Sequence, residues 1–436
     1  VGENMGWVAD YQYSDFDRWT DSLAANNCNL VRIWFTVYTF QIEWNNAGPV
    51  GYYTGRMNRA WWLDWFLEMT REKGIKVQLC LNSAQAFIVT GYPSWNYNPY
   101  STVQGGPCEY PWQFFVNEDA RYFFKRKLRY ILARWGAYDN IIAWELFNEV
   151  DGVDGYAGHQ NDVVNWHNEM AQYLHSNDNY NRPVSTSFMD HNVSPNTWAL
   201  QNIDFTQGHR YYSQQDVDYE VYRKTRELID EYEKPASMAE FNLHVYHSNN
   251  YSDDPTGLHM HNTMWASLFS GSFSSALPWF WSQYIDEYNL YHQFRGPATF
   301  SGLMTQIHNT TPELPPVSSS EKTDLTIIPG LQQTFVPHEE DYFNVGRNGI
   351  MIPDRRELAS MLYGYGFSSY RNPPHFIVDY DEAGTFTVRT GSIEFFSKIR
   401  ISVDGVLMLE QNAEVNTDYT IPLPAGEHVI HCENVG

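Results

Sequence analysis

Along the first 308 residues, short runs rich in apolar and β-branched side chains alternate with longer stretches in which apolar residues recur every three or four positions. The short runs fall at 3–9, 29–35, 76–82, 141–149, 183–189, 204–211, 235–242 and 275–281, and their length and composition predict strands. Segments 59–73, 117–135, 161–176 and 215–233 have helical spacing, and Trp61, Trp62, Trp65, Phe66 and Met69 are expected to face a core. A strand followed by an amphipathic helix, repeated, is the pattern of parallel βα units. Eight such units in about 300 residues predict an α/β fold, the (β/α)8 TIM barrel, with functional side chains at the C-terminal ends of the strands. A doubly wound sheet is the competing arrangement, but no Gly-rich phosphate loop follows any of these runs.

The pattern changes after residue 308. Residues 309–322 are rich in Pro and Ser and are expected to be a linker. From 323 to 436 the period becomes two, as in Gly384-Thr-Phe-Thr-Val-Arg and Lys398-Ile-Arg-Ile-Ser-Val, with turns expected at Asp404-Gly405 and Ala425-Gly426. A small C-terminal β-sandwich of accessory role is the reading for this part, and 1–308 is the catalytic barrel. Strand signal begins almost at Val1 and runs nearly to Gly436, so a longer natural chain, with a leader or an upstream domain, is expected.

Composition narrows the partners. With 28 Lys+Arg against 52 Asp+Glu, the formal net charge is −24, which repels nucleic acid and anionic membranes. No apolar run approaches the roughly 20 residues of a membrane helix. Aromatics make up 17% of the chain, including 16 Trp and 31 Tyr, and this suits a carbohydrate substrate whose C–H faces stack on rings. The four cysteines, Cys28, Cys80, Cys108 and Cys432, have neither metal-type spacing nor a dense disulfide framework, so their redox state stays open, and Cys80 reads as a buried small hydrophobe. No cofactor is implied, and the oligomeric state stays open.

The sharpest chemical signal is Trp144-Glu145-Leu146-Phe147-Asn148-Glu149, a strand run that ends in an Asn-Glu pair. Ser237-Met238-Ala239-Glu240-Phe241 closes similarly on one carboxyl, 91 positions after Glu149. On the fourth and seventh strands of a barrel, Glu149 and Glu240 would face each other across the mouth. Glycosidic cleavage requires such a pair, one carboxyl to protonate the leaving oxygen and one to attack the anomeric carbon.

With these residues in place, the chain resembles glycoside hydrolase clan A, nearest the cellulase-like family five, over about residues 1 to 308. The matching positions are Asn148-Glu149, Glu240, Arg32 on the second strand, His209 and Tyr211 after the sixth, and Trp281 on the eighth. The resemblance implies Glu149 as general acid/base and Glu240 as nucleophile of a retaining enzyme, acting on a neutral mannan- or glucan-like chain outside the cytoplasm, secreted, periplasmic or at the cell surface. It implies that Asn148 bonds the sugar 2-hydroxyl, that Arg32 and Tyr211 keep Glu240 ionised, and that Trp281 floors the cleavage point. Asn82, in Leu81-Asn82-Ser83-Ala84-Gln85, stands where family members often carry a His-Asn pair.

Each residue has a structural counterpart reading. Glu149 and Glu240 could be caps or ion-pair partners, Arg32 a partner of a deeper, buried Glu145, and His209 a satisfied core histidine. Arg210 is placed to pair with acids of its own neighbourhood. Strand parity puts Trp279 and Trp281 on one face, so one of them is packing, and Trp281 is the favoured platform. The aromatic stretch 86–116 either walls the cleft or folds onto the barrel. Two alternatives remain: a carbohydrate-binding barrel without catalysis, and a metal-dependent hydrolase suggested by His259-Met260-His261, although no metal ligand set completes that pair.

Overall fold

The computed structural model describes the chain apart from residues 8–11, 92–93, 190–193, 212–215, 245–252, 311–323, 332–338 and 348–349. It divides into two compact units, Val1–Pro312 and Glu313–Gly436. The expected linker therefore lies outside the described residues from 311 onward, while 309 and 310 close a helix, Arg295–Thr310.

In the first unit, strands β1 (Gly2–Met5), β2 (Leu30–Trp34), β3 (Lys76–Cys80), β4 (Ile141–Glu145) and β5 (Val184–Ser185) form one parallel sheet in chain order. β6 (Thr206–Tyr211) and β7 (Ala236–Asn242) form a second parallel pair. Helices α1 (Tyr13–Ala25), α2 (Met57–Glu72), α3 (Glu118–Trp135), α4 (Gln160–Asn177), α5 (Val217–Tyr232), α6 (Leu258–Phe269) and α7 (Arg295–Thr310) lie between or after them. β1, β2 and β7 are buried along their whole length, as strands covered by helices outside and closed on a core inside must be.

Two seams close the barrel. Between β5 and β6, the Asp204 N–H donates to the Val184 carbonyl (2.9 Å) and the Ser185 hydroxyl to the Phe205 carbonyl (2.7 Å). Between β7 and β1 sits the eighth run, which forms no regular strand. Leu277 and Trp279 donate to Met238 and Phe241 of β7, but the donors facing β1 are lost. Ala276 N–H goes to Ser267 Oγ (2.6 Å), and Pro278 has no N–H, so only its carbonyl serves β1, accepting from Asn4 N–H at 3.3 Å.

The helices pack as their periodicity requires, with one correction. Trp62, Phe66 and Met69 of α2 are buried, but Trp61 is 54% exposed and packs edge-on against Tyr13, because a position one residue from the core stripe is turned by about 100°. Among the described residues, no helix is long and apolar enough to cross a membrane.

The second unit has a six-stranded sheet and a strand pair. β8 (Tyr342–Val345), β9 (Met351–Ile352), β10 (His375–Tyr380), β12 (Lys398–Val403), β13 (Val406–Asn412) and β15 (Gly426–Asn434) form the sheet in the order β13-β12-β15-β10-β8-β9. β11 (Gly384–Arg389) pairs with β14 (Asp418–Leu423). Ile399, Ile401, Val403, Phe376 and Ile430 share one core with Tyr419, Ile421 and Leu423 of the pair. The hairpin between β12 and β13 turns through Asp404 (φ 51°) and Gly405 (φ 78°), the left-handed conformations a two-residue turn demands.

Candidate active site

Beyond its last ladder residue, β4 continues extended: Leu146 N–H bonds the Ser185 carbonyl (2.8 Å) and Asn148 N–H the Asn82 carbonyl (2.9 Å). The run ends at Glu149, which adopts a left-handed backbone (φ 51°) rarely taken by a residue with a side chain, and its N–H bonds Ser187 Oγ (3.2 Å). The Glu149 carboxyl thus stands at the mouth, with 17% of its side chain exposed, whereas Glu240 lies deeper at 3%.

A bulge sets the opposite wall. Gly208 pairs with Met238, but His209 pairs with Glu240, so β7 carries one extra residue, Ala239, at this point. As a result His209 Nδ1 lies 2.9 Å from Glu149 Oε1 and 3.5 Å from Glu240 Oε2. One carboxylate oxygen from each glutamate and a ring nitrogen of His209 all fall within 4.8 Å of one another. Tyr211 donates its hydroxyl to Glu240 Oε2 at 2.8 Å.

Arg32, fully buried, divides its guanidinium between two carboxylates. Nε and Nη2 bind Glu145 (2.7 and 2.6 Å), while Nη1 binds Glu240 Oε1 (2.7 Å) and Asn4 Oδ1 (3.0 Å). The two readings of Arg32 from sequence are therefore both realised by one side chain. Nη2 also donates to Asn148 Oδ1 (2.7 Å), which fixes the orientation of that amide and leaves Asn148 Nδ2 buried with no protein partner. Beneath, Glu145 accepts from Gln78 Nε2 (2.8 Å) and Ser187 Oγ (2.9 Å), and Gln78 continues to Gln207 Oε1 (2.6 Å).

The electrostatics separate the carboxyls by environment. Burial pushes Glu149 up to about 7, with Arg32 opposing and Glu145 adding to the rise. Burial also lifts Glu240 above the ordinary range, while His209 and Arg32 pull it back. Arg32, expected to help keep Glu240 ionised, does act downward on it, against the larger upward push of burial. For Glu145 burial acts upward too, but the Arg32 charge and hydrogen bonds from Arg32 and Gln78 reverse it and hold the group below the ordinary range. Burial lowers the His209 imidazole, which favours its neutral form.

Two aromatic expectations change. Phe280 takes φ 66° and a π-helical turn starts at Trp281, so strand parity does not extend to that residue. Trp281 is 4% exposed and packs edge-on against Trp19, inside the core. Trp279 is the half-buried indole, packed against Trp34 at 5.0 Å, and Trp34 in turn lies under the Arg32 guanidinium at 5.3 Å. In the stretch 86–116, Trp95 and Tyr100 fold inward against Phe87 and Phe114, while Tyr97 and Tyr110 are exposed and Tyr92 lies outside the described residues.

Asn82 is buried at the end of β3, and its carbonyl, rather than its side chain, supports Asn148. Arg210 pairs with Glu220 at 2.8 Å, away from the glutamate pair. His261 bonds Gln293 and the His259 N–H donates to Asp254. Among the described residues, the group with metal-ligand spacing is Glu149, His209 and Glu240. Sequence reasoning passed over Asn4, Ser187 and Gln78, whose signal is a polar side chain inside an otherwise apolar strand run. All four cysteines are buried free thiols.

No protein-family model matches this sequence, and no curated protein matches it. Solved structures do. The endo-1,4-β-mannanase of Rhizomucor miehei superposes with a TM-score of 0.51 at 15% identity, over 68% of this chain and 94% of its own. The endo-β-1,4-mannanase of Thermotoga petrophila superposes with a TM-score of 0.52 at 14% identity, over 100% of this chain and 97% of its own. At such identities the likeness is one of fold, and the fold is the one the resemblance to glycoside hydrolase clan A implied.

Proposed function

We propose that this chain is a retaining glycoside hydrolase that cleaves β-linked neutral polysaccharide, with a β-mannan as first substrate. The observation that carries the reading is the spacing of Glu149 and Glu240, whose nearest oxygens lie within 4.8 Å. Double displacement calls for about 5 Å between the two carboxyls, and inversion for roughly 6.5–9.5 Å. The choice of mannan rests on the two fold neighbours, both named as endo-β-1,4-mannanases.

In this mechanism Glu240, facing Arg32 and Tyr211, carries the negative charge and attacks the anomeric carbon. Glu149, protonated and nearer solvent, donates to the leaving glycosidic oxygen, then takes a proton from the water that cleaves the glycosyl ester. The free Asn148 amide donates to the 2-hydroxyl, an interaction that strengthens as the ring flattens. Trp279 takes the platform role. His209 passes between the two carboxyls as their shared neutral partner. The C-terminal unit is read as an accessory β-sandwich, and export from the cell suits a substrate too large to enter it.

Purified protein on a panel of β-mannan, β-glucan, xylan and galactan is expected to release sugars from a hexose β-glycan, with NMR showing the β-anomer first. Initial α-anomer would refute retention. Silence across the panel would favour the non-catalytic carbohydrate-binding barrel. The convergence of Glu149, His209 and Glu240 also supports a metal-assisted reading, against which the adjacent Arg32 charge acts, and loss of turnover in chelator would favour that reading.

The pH profile tests the roles. Glu149 must hold a proton, so kcat/KM is expected to fall as pH rises through about 7, the value to which burial lifts it. An alkaline limb near pH 5 would remove Glu149 as the acid.

A further inference from the structure

Ser187 stands opposite the Asn148-Glu149 pair, two residues beyond the paired strand Val184–Ser185. In a regular parallel pair, the N–H and carbonyl of one residue bond the neighbouring strand on either side of a single residue. Ser187 straddles two. Its N–H donates to the Phe147 carbonyl (2.9 Å) and its carbonyl accepts from Val150 N–H (3.1 Å), so Asn148 and Glu149 both lie between the bonds. The extra residue makes a bulge, and it is Glu149 that absorbs the turn with its left-handed backbone (φ 51°).

The bulge costs Glu149 its ladder partner. Among the described residues no backbone carbonyl accepts from the Glu149 N–H, and Ser187 supplies the acceptor from its side chain, Oγ, at 3.2 Å. The hydroxyl is buried, and its surroundings orient it. Glu145 is held ionised by Arg32 and Gln78, so its carboxylate can only accept. The one Ser187 proton therefore goes to Glu145 Oε1 at 2.9 Å, the nearer of two acceptors, with Asn148 Oδ1 at 3.4 Å. Arg32 Nη2 lies 3.5 Å from the same oxygen as a further donor. With its proton committed, Oγ presents a lone pair to Glu149 N–H.

The backbone held in this way decides where a carboxyl points. A left-handed residue with a side chain costs roughly 1–2 kcal/mol and persists only where its neighbours enforce it. Relaxation of Glu149 toward the ordinary region would carry its carboxyl away from His209 Nδ1, now at 2.9 Å, and from its place opposite Glu240.

We infer that Ser187 is the positioning residue of the acid/base, holding Glu149 in the strained conformation that aims its carboxyl at the leaving oxygen. The inference rests on the proposed glycosidase reading. Ser187 acts through Glu149 and touches no part of the sugar, so its removal is felt only where a proton must be delivered.

The test compares the full chain with its Ser187→Ala variant, which deletes the acceptor and leaves the backbone bonds. The substrates are mannohexaose or cellohexaose, whichever the parent cleaves, and the dinitrophenyl glycoside of the matching disaccharide, whose leaving group departs without a proton. Ser187→Ala is expected to lower kcat/KM on the hexamer at least about tenfold, the scale of a misplaced catalytic group, with KM within about twofold. On the dinitrophenyl glycoside kcat/KM is expected to change less than about twofold, whereas a merely structural loss lowers both rates alike. A loss below about threefold on the hexamer means that another acceptor serves Glu149 equally well, and overturns the inference. An equal loss on both substrates overturns it too, because Ser187 then acts through the Arg32 network and Glu240. A parent that cleaves neither hexamer removes the glycosidase reading, and this inference with it.

Discussion

Glu240→Ala is expected to lower kcat/KM on the cleaved β-glycan by on the order of 10⁴-fold or more, as removal of a covalent nucleophile does. The geometry predicts this because no other carboxyl can replace it. Glu145 points down the barrel, with both oxygens occupied by Arg32, Gln78 and Ser187, and Glu149 stands on the far side of His209. Glu149→Ala should differ in kind. Its loss should be severe on natural polysaccharide, whose leaving oxygen needs a proton, and mild on an aryl glycoside with an acidic leaving group. Rates of both variants on both substrates check the assignment. A Glu240→Ala variant that retains a tenth of parental activity would take Glu240 out of the mechanism.

The second large effect is on stability. Arg32→Met leaves Glu145 and Glu240 buried without their shared cation and should cost about 3–5 kcal/mol at pH 7, the usual consequence of breaking a buried pair from one side. The sign with pH follows from the carboxyls. Without Arg32 their pKa values rise, so they take up protons as pH falls and the deficit shrinks toward pH 5. Guanidinium unfolding midpoints at pH 5 and 7 measure this. Adding Glu145→Leu to Arg32→Met should recover part of the loss, because it removes one stranded charge. A deficit below about 1 kcal/mol at pH 7, or one that grows on acidification, would show that the Arg32 network does not bear on folding in this way.

Much of this architecture can be read from local pattern. The strand and helix periodicities locate seven of the eight barrel strands, since burial on both faces demands continuous apolar runs. The failures are specific. The eighth run looks as apolar as the others, but Pro278 removes a donor at the position where β1 needs one, and Ala276 spends its own on Ser267. The run 183–189 is reduced to Val184–Ser185 as a paired strand, because the seam to β6 is held by one backbone bond and by side-chain bonds of Asp204, Ser185 and Gln207 rather than by a ladder.

The site divides in the same way. That Glu149 and Glu240 end strand runs, with Asn148 beside one of them, is a fact of spacing along the chain, and spacing is what local periodicity encodes. That His209 faces Glu240 depends on an extra residue in β7 relative to β6, which is a property of two strands together. That Trp279, not Trp281, stays half-buried depends on the chain leaving extended geometry at Phe280, and parity counts only while a strand lasts. The amino-acid order by itself determined which elements form and which chemical groups lie at their ends. Only the closed barrel decided which groups meet, how far apart, and with what charge, because hydrogen-bond register and desolvation arise between segments distant in the chain.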